Sequence, residues 1–239
     1  MTGLRLEALP LWLVFLATTS GFLAMYLGLG SISTLLVSRV CPRLGLGRTL
    51  SDRPLAPGQL GRELRDSLVS ILIFGGYGLV TALGARAGLW HVASWRSPGG
   101  VALELAFLVL WNDVHFYVIH RALHTRWLFQ HVHREHHRAI RPTPFSTYAM
   151  HPLEATLLGS VIVFVLPFHA FSLPTLVLFP LVSLTLNNVG HLNHDLVPRA
   201  GVWHPLAGSR RHERHHREVR GNYGFLLPAL DRWLRTEIP

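Results

Sequence analysis

Lysine is missing from this 239-residue chain, so all 22 of its basic side chains are arginine. Cysteine occurs once, at Cys41, which excludes an internal disulfide and any zinc or iron–sulfur site built on thiolates. Charged residues make up only 15% of the chain against 49% apolar, and that balance excludes a disordered tail or a polar linker. No G-x-G-x-x-G unit, nucleic-acid recognition motif, internal repeat or low-complexity tract is present.

What the chain has instead is long charge-poor runs, at 8–38, 67–85, 101–112 and 155–190. A helix needs about 20 residues to cross the hydrocarbon core, so the first two runs predict one span each. The third carries Glu104, Asp113 and His115 in or beside it and predicts a span with a polar stripe. The fourth, with Pro167, His169 and Pro174 near its middle, is long enough for two crossings joined by a tight hairpin. The expected fold is all-α: a polytopic membrane helical bundle of about 4–5 spans with a cytoplasmic histidine-rich helical cap. Residues 1–100 are read as N-terminal spans and a loop, and 101–239 as the catalytic region, the two forming one integrated domain. The first run is expected to be a retained span: Glu7 follows Arg5 closely, the run exceeds a signal-peptide core, and no small-x-small cleavage site follows.

The arginines test that topology. Alternating the spans places 19 of the 22 on one face, which the positive-inside rule makes cytoplasmic. The basic balance is then a topology signal, and nucleic acid is not an expected partner.

Sixteen histidines are the unusual count, and thirteen fall on the arginine-rich side. His120-Arg-Ala-Leu-His124 is an H-x3-H pair continuing the third span. His133-Arg-Glu-His136-His137 and His212-Glu-Arg-His215-His216 are two copies of H-x2-H-H. On a helix, residues three and four apart share a face, so each cluster is expected to turn two or three imidazoles one way. One zinc-type site takes three or four protein ligands, so eight imidazoles fit two metals better than one. Neutral imidazole suits Fe, Cu, Ni or Zn, and spacing does not choose among them. Upstream, Asp113, Tyr117, His120 and His124 form one helical stripe, from which Asp113 could orient a ligand imidazole as an outer acceptor.

From Asn112 to Thr236 the sequence resembles the fatty acid hydroxylase and sterol desaturase superfamily of integral-membrane di-iron enzymes. The resemblance rests on DVHFYVIHRALH at 113–124, HREHH at 133–137 followed by HPLE at 151–154, GHLNHD at 190–195, and HERHH at 212–216 followed by GNYG at 221–224 and Asp231. It implies two iron ions, which zinc can replace in purified protein, held by His120, His124, His133, His136, His137, His212, His215 and His216. His191 matches the additional family histidine before the third box, and His194, where many members carry an aromatic residue, is counted with the metal set. The implied activity is hydroxylation or desaturation of a lipid C–H bond with O2, on a fatty acyl, sterol-like or carotenoid substrate. Electrons would come from an external reductase with a ferredoxin or cytochrome b5 type carrier. Arg210, Arg211, Arg214, Arg217 and Arg220 offer either a docking face for such a carrier or plain membrane-surface charge. One departure stands near the end, where the family's usual Gly before the closing Thr is Arg235. The rival class is a histidine-rich membrane metal transporter or metal-binding protein, which would place ligands along the spans near the midplane. A metal-dependent lipid hydrolase, which would turn over without oxygen, is a third class.

Overall fold

The computed structural model describes residues 6–238; Arg5 and the side chain of Glu7, on which the reading of the first run partly rests, lie outside what is described. The chain is built almost wholly from helices. α1 (Leu11–Leu35) starts behind Pro10 and continues through a π-turn at Leu36–Val40 into α2 (Cys41–Leu44), which Gly45 ends in the left-handed region at φ 62°. α3 (Gln59–Arg86) and α4 (Pro98–Leu123) follow, the latter capped by Ser97, whose hydroxyl accepts from the Gly100 N–H at 3.2 Å. After the short α5 (Arg126–Leu128) and α6 (Arg134–His137) come α7 (Pro152–Gly159), α8 (Leu173–Gly190), α9 (Gly208–Glu218) and α10 (Ala229–Trp233). Among the described residues the strands are two-residue pieces, β1 (Arg48–Thr49) and β2 (His194–Asp195), paired antiparallel.

Four helices are long and apolar enough to cross a membrane: Leu11–Leu44, Gln59–Arg86, Pro98–Leu123 and Leu173–Gly190. These fit an integral membrane protein. The hairpin expected over 155–190 has one regular limb, α8. Its other limb is the eight-residue α7 followed by irregular turns over 160–168. There the Ser160 hydroxyl bonds back to the Leu157 carbonyl at 2.7 Å, and Val161-Ile162-Val163 then crowds the backbone, so i−3 bonds such as Val163 N to Ser160 O replace the α ladder.

α1 and α3 form the most extensively packed helix pair. A Cβ at Gly78 would run into the Thr18 side chain, so only glycine lets the two backbones approach this closely. Tyr26 and Ile71, on this pair, meet Tyr148 and Met150 in one apolar cluster, which ties the N-terminal spans to the segment after α6.

Hydrogen bonds show which helix ends lie together. At one end, β1 pairs β2, Gln59 Nε2 reaches the Arg141 carbonyl at 2.9 Å, and the Thr143 hydroxyl donates to Glu63 at 2.6 Å. At the other, Ala93 bridges Ser172 and a buried Glu104 collects the loops. Its Oε2 accepts from Ser172 N at 3.0 Å, Ser172 Oγ at 2.7 Å and Thr175 Oγ1 at 2.6 Å, while Oε1 faces Arg96 Nε at 3.1 Å and His169 Nε2 at 3.0 Å. Removing that acceptor leaves three buried donors without it, each costing roughly 1–3 kcal/mol. Glu104→Ala is therefore expected to lower stability by about 3 kcal/mol in detergent unfolding while leaving bound metal, at the opposite end, unchanged.

Candidate metal centre

All three histidine motifs converge at the end of the bundle where α4 and α8 finish. Nine rings divide into two groups, His120, His124, His133, His137 and His215 in one and His136, His191, His212 and His216 in the other. Within each group the facing ring nitrogens lie within 4.8 Å of one another. The nearest Nε2 pairs in the first group are His120–His133, His133–His137 and His137–His215 at 3.1 Å and His124–His215 at 3.2 Å. In the second they are His191–His212 at 3.1 Å and His212–His216 at 2.9 Å.

The helical offsets explain the division. Each i, i+4 pair, His120/His124, His133/His137 and His212/His216, stays within one group. The i, i+3 partners do not: His136 crosses to the second group and His215 to the first. Each H-x2-H-H motif thus turns two of its rings one way and sends the third to the other group, a reciprocal exchange in which the adjacent pairs His136-His137 and His215-His216 each serve both groups. A π-turn over Phe129–His133 leads into α6 and sets the phase of the second motif.

Outer acceptors fix the rings. The Nδ1 atoms of His120, His136, His191 and His215 face the carbonyls of Tyr223 at 2.9 Å, Ala149 at 3.2 Å, Asn187 at 3.0 Å and Gly221 at 2.7 Å. His133 Nδ1 faces Glu154 Oε1 at 2.8 Å. A carbonyl only accepts, so Nδ1 carries the proton and Nε2 turns its lone pair inward. Lone pairs about 3 Å apart repel unless a cation lies between them, and a first-row ion bound by imidazole nitrogen at ~2.0–2.1 Å would bring its ligand nitrogens to about this separation. The donor set therefore fits two first-row metal ions.

Electrostatics agree. Burial, then neighbouring imidazoles, push His124 and His191 down to about 3, and burial alone does the same for His133. His136, His137, His212, His215 and His216 are lowered as well, first by burial. Burial lifts the Glu154 carboxyl to about 8, against the pull of His136 and His151. Imidazoles whose folded pKa lies below 6.5 contribute stability above pH 6.5 that is lost as pH falls toward 3. Metal-free protein is accordingly expected to melt at progressively lower temperature between pH 6.5 and 5, with bound metal suppressing the effect; thermal melts at stepped pH check it.

The remaining expected residues lie elsewhere. His194 is buried in β2 with Nε2 on the Leu46 carbonyl at 2.9 Å, outside both groups. Asp113 touches no ring and instead accepts from the Leu226 N–H at 2.7 Å, anchoring the C-terminal segment. His151 and His204 cap helices by accepting from Leu153 N at 3.1 Å and Leu206 N at 3.2 Å, His115 meets Ser160 Oγ at 3.2 Å, and His131 stacks on exposed Trp127. The carboxylate that does hold a ring is Glu154; its sequence signal was an acid next to an apolar run, two residues after Pro152. Of the arginines weighed for carrier docking, Arg211 is buried and bonds the Val202 and Leu226 carbonyls at 2.5 Å, and Arg210 bonds the Ala200 carbonyl at 2.7 Å. The C-terminal segment that supplies Gly221 and Tyr223 is closed by Asp231, which accepts from Tyr223 N at 2.8 Å and Gly224 N at 2.7 Å. Arg235 adopts φ 55°, so the backbone keeps there a glycine-favouring conformation without the glycine.

Comparison with known proteins supports the same region. The fatty acid hydroxylase family model matches residues 105–236. Among curated relatives, a Delta(7)-sterol 5(6)-desaturase of Leptosphaeria maculans is 30% identical over 139 residues, covering 54% of this chain and 35% of the relative. Lathosterol oxidase of Rattus norvegicus is 34% identical over 134 residues, covering 54% and 43%. A very-long-chain aldehyde decarbonylase, GL1-5, of Oryza sativa subsp. indica is 31% identical over 170 residues, covering 64% and 27%. In each case the chain spans less than half of the relative's length. No solved structure matches. With 105–236 matched and its histidines gathered in two groups, the chain belongs to the fatty acid hydroxylase and sterol desaturase superfamily.

Proposed function

We propose that the protein is a membrane di-iron oxygenase that hydroxylates or desaturates a lipid C–H bond with O2. The five-histidine group would hold one iron and the four-histidine group the other. Zinc can take their place in purified protein, since it binds nitrogen ligands more tightly than Fe(II) does. Iron bound there supplies the activation of O2, which side chains alone do not provide.

The observation that carries the reading is a cavity of about 490 Å³ beneath the histidines, lined almost wholly by apolar residues of α1, α3, α4, α8 and the irregular limb between α7 and α8. It extends from Leu9 and Leu173 at the far end to Phe116 and Phe225, whose rings lie 5.2 Å apart, with His120 5.0 Å from Phe116. Met150 lines it beside Ala149, the residue whose carbonyl holds His136, and Asn187, whose carbonyl holds His191, lines it directly. A lipid drawn from the bilayer would occupy this space with one end directed toward the ligands, and its apolar walls would exclude water from that end. α1 and α3 supply part of those walls, which supports reading residues 1–100 and 101–239 as one integrated domain. Alternation of the spans assigns 19 of the 22 arginines to the side of the histidine motifs, and this bias supports a cytoplasmic metal end. Electrons would be delivered there by a separate reductase and a ferredoxin or cytochrome b5 type carrier.

A transport reading gains nothing from this cavity, since among the described residues no His, Cys, Asp or Glu lines it. Mass spectrometry of lipids from cells with and without the gene tests the proposal: a hydroxylated or desaturated lipid that disappears with the gene and with His215→Ala is expected. Metal uptake into vesicles that persists without O2 or electrons, with no oxidised lipid formed, would contradict it.

A further inference from the structure

Two carboxamides interrupt the apolar cavity at its metal end. Asn112 lies on α4 eight residues before His120, about 12 Å along the helix, and Asn187 lies on α8 four residues before His191, about 6 Å. Both line the cavity, and Asn112 is 93% buried, being 7% exposed. Among the described residues neither carboxamide has a hydrogen-bond partner. Tyr77 and Thr81, also on the lining, satisfy their hydroxyls on the carbonyls of Thr156 at 2.5 Å and Tyr77 at 2.9 Å, whereas the hydroxyls of Tyr148 and Ser183, likewise on the lining, have no hydrogen-bond partner among the described residues and face the same space as the carboxamides. Asn188, one residue on from Asn187, reaches the Pro144 carbonyl at 3.0 Å. A buried amide is costly unless paired, so the buried Asn112, left open toward the cavity together with the half-buried Asn187, marks where a guest supplies the partner.

The charge of that guest follows from the walls. Among the described residues no Arg or His lines the cavity, so a carboxylate or phosphate at the carboxamide end would lie in apolar surroundings without a counter-ion. A hydroxyl or carbonyl oxygen meets no such penalty and can pair with an amide. We infer that Asn112 and Asn187 determine specificity by binding an uncharged hydroxyl or carbonyl oxygen of the lipid, placed within roughly 6–12 Å of the histidines. The substrate class is then a neutral, oxygen-bearing lipid. Free acids and phospholipid head groups are excluded from the cavity. This rests on the cavity being the lipid site of the proposed oxygenase, but its test reads binding and needs no turnover.

Full-length protein in detergent is offered octadecan-1-ol, octadecane and octadecanoate, and separately cholestan-3-ol and cholestane, and retained lipid is counted by native mass spectrometry. In the wild type, at least one alcohol is expected to be retained about tenfold better than its hydrocarbon, with octadecanoate poorest, because a site built to pair an OH discriminates against its absence. Asn112→Leu and Asn187→Leu should each bring that ratio toward one while hydrocarbon retention holds or rises. Both replacements leave the main chain in place, including the Asn187 carbonyl that holds His191, so bound metal should be unchanged and reports an intact fold. Equal retention of alcohol and hydrocarbon by the wild type, best retention of octadecanoate, or a preference surviving both substitutions would overturn the inference. A lost alcohol preference in the variants without any lipid oxidation in cells would sustain it while sinking the oxygenase reading.

Discussion

His136→Ala is expected to reduce bound metal from two ions per chain toward one and to lower lipid oxidation by more than ~100-fold, since even residues outside the ligand set typically cost 10–100-fold in metal affinity or activity. His136 belongs to the four-histidine group, and its loss leaves three rings there. His124→Ala removes one ring from the five-histidine group and leaves four, and His124 is the half-buried member of its set. That variant is expected to keep two ions and a measurable fraction of activity. The adjacent residue gives the sharper contrast: His137→Ala should perturb the other ion from the one His136→Ala perturbs, although the two are neighbours in sequence. Metal analysis together with Mössbauer spectra of iron-57 protein distinguishes these cases. Loss of the same ion in both variants would refute the reciprocal sharing of rings.

The second large effect concerns Glu154. Its Oε1 accepts from His133 Nδ1 at 2.8 Å, and it is 2% exposed, with Oε2 buried and unpartnered. Glu154→Leu removes the acceptor that fixes the His133 tautomer and ring angle, and should weaken metal retention by roughly 10–100-fold in competition with a chelator. Glu154→Gln keeps an accepting oxygen and puts an amide NH2 in place of the other, so it should lie between Leu and the wild type. The ordering separates an orienting role from simple packing, because leucine fills the space at least as well as glutamine. A leucine variant holding metal as tightly as the wild type would show that His133 needs no acceptor.

These expectations show what was legible in the sequence. Long charge-poor runs announced the spans, because crossing a membrane demands a length and a polarity that composition alone reveals. The i, i+4 spacing announced paired imidazoles for an equally local reason. The exchange of His136 and His215 between groups was not legible, since it depends on how α6 and α9 face one another and on the π-turn that sets the phase of α6. Nor were the carbonyls of Ala149, Asn187, Gly221 and Tyr223, because any residue type supplies a carbonyl and only the fold aims it. Asp113 drew attention as a carboxylate beside the stripe of metal-side histidines, yet its partner is a main-chain N–H of the C-terminal segment. His194 stands where many family members carry an aromatic residue, and a two-residue strand turns it toward Leu46. The length of 155–190 suggests two crossings, whereas a hydroxyl back-bond and three β-branched residues leave one limb irregular. Local periodicity thus carried through, and properties set by contacts between distant segments did not.

The measurement that bears most directly on the account is the iron content and iron-57 Mössbauer spectrum of protein purified without oxygen and loaded with Fe(II). Two ions per chain, in two distinguishable nitrogen-rich environments that correspond to five and four imidazoles, are the predicted result. One ion or none under saturating Fe(II), in protein that remains folded, would contradict it.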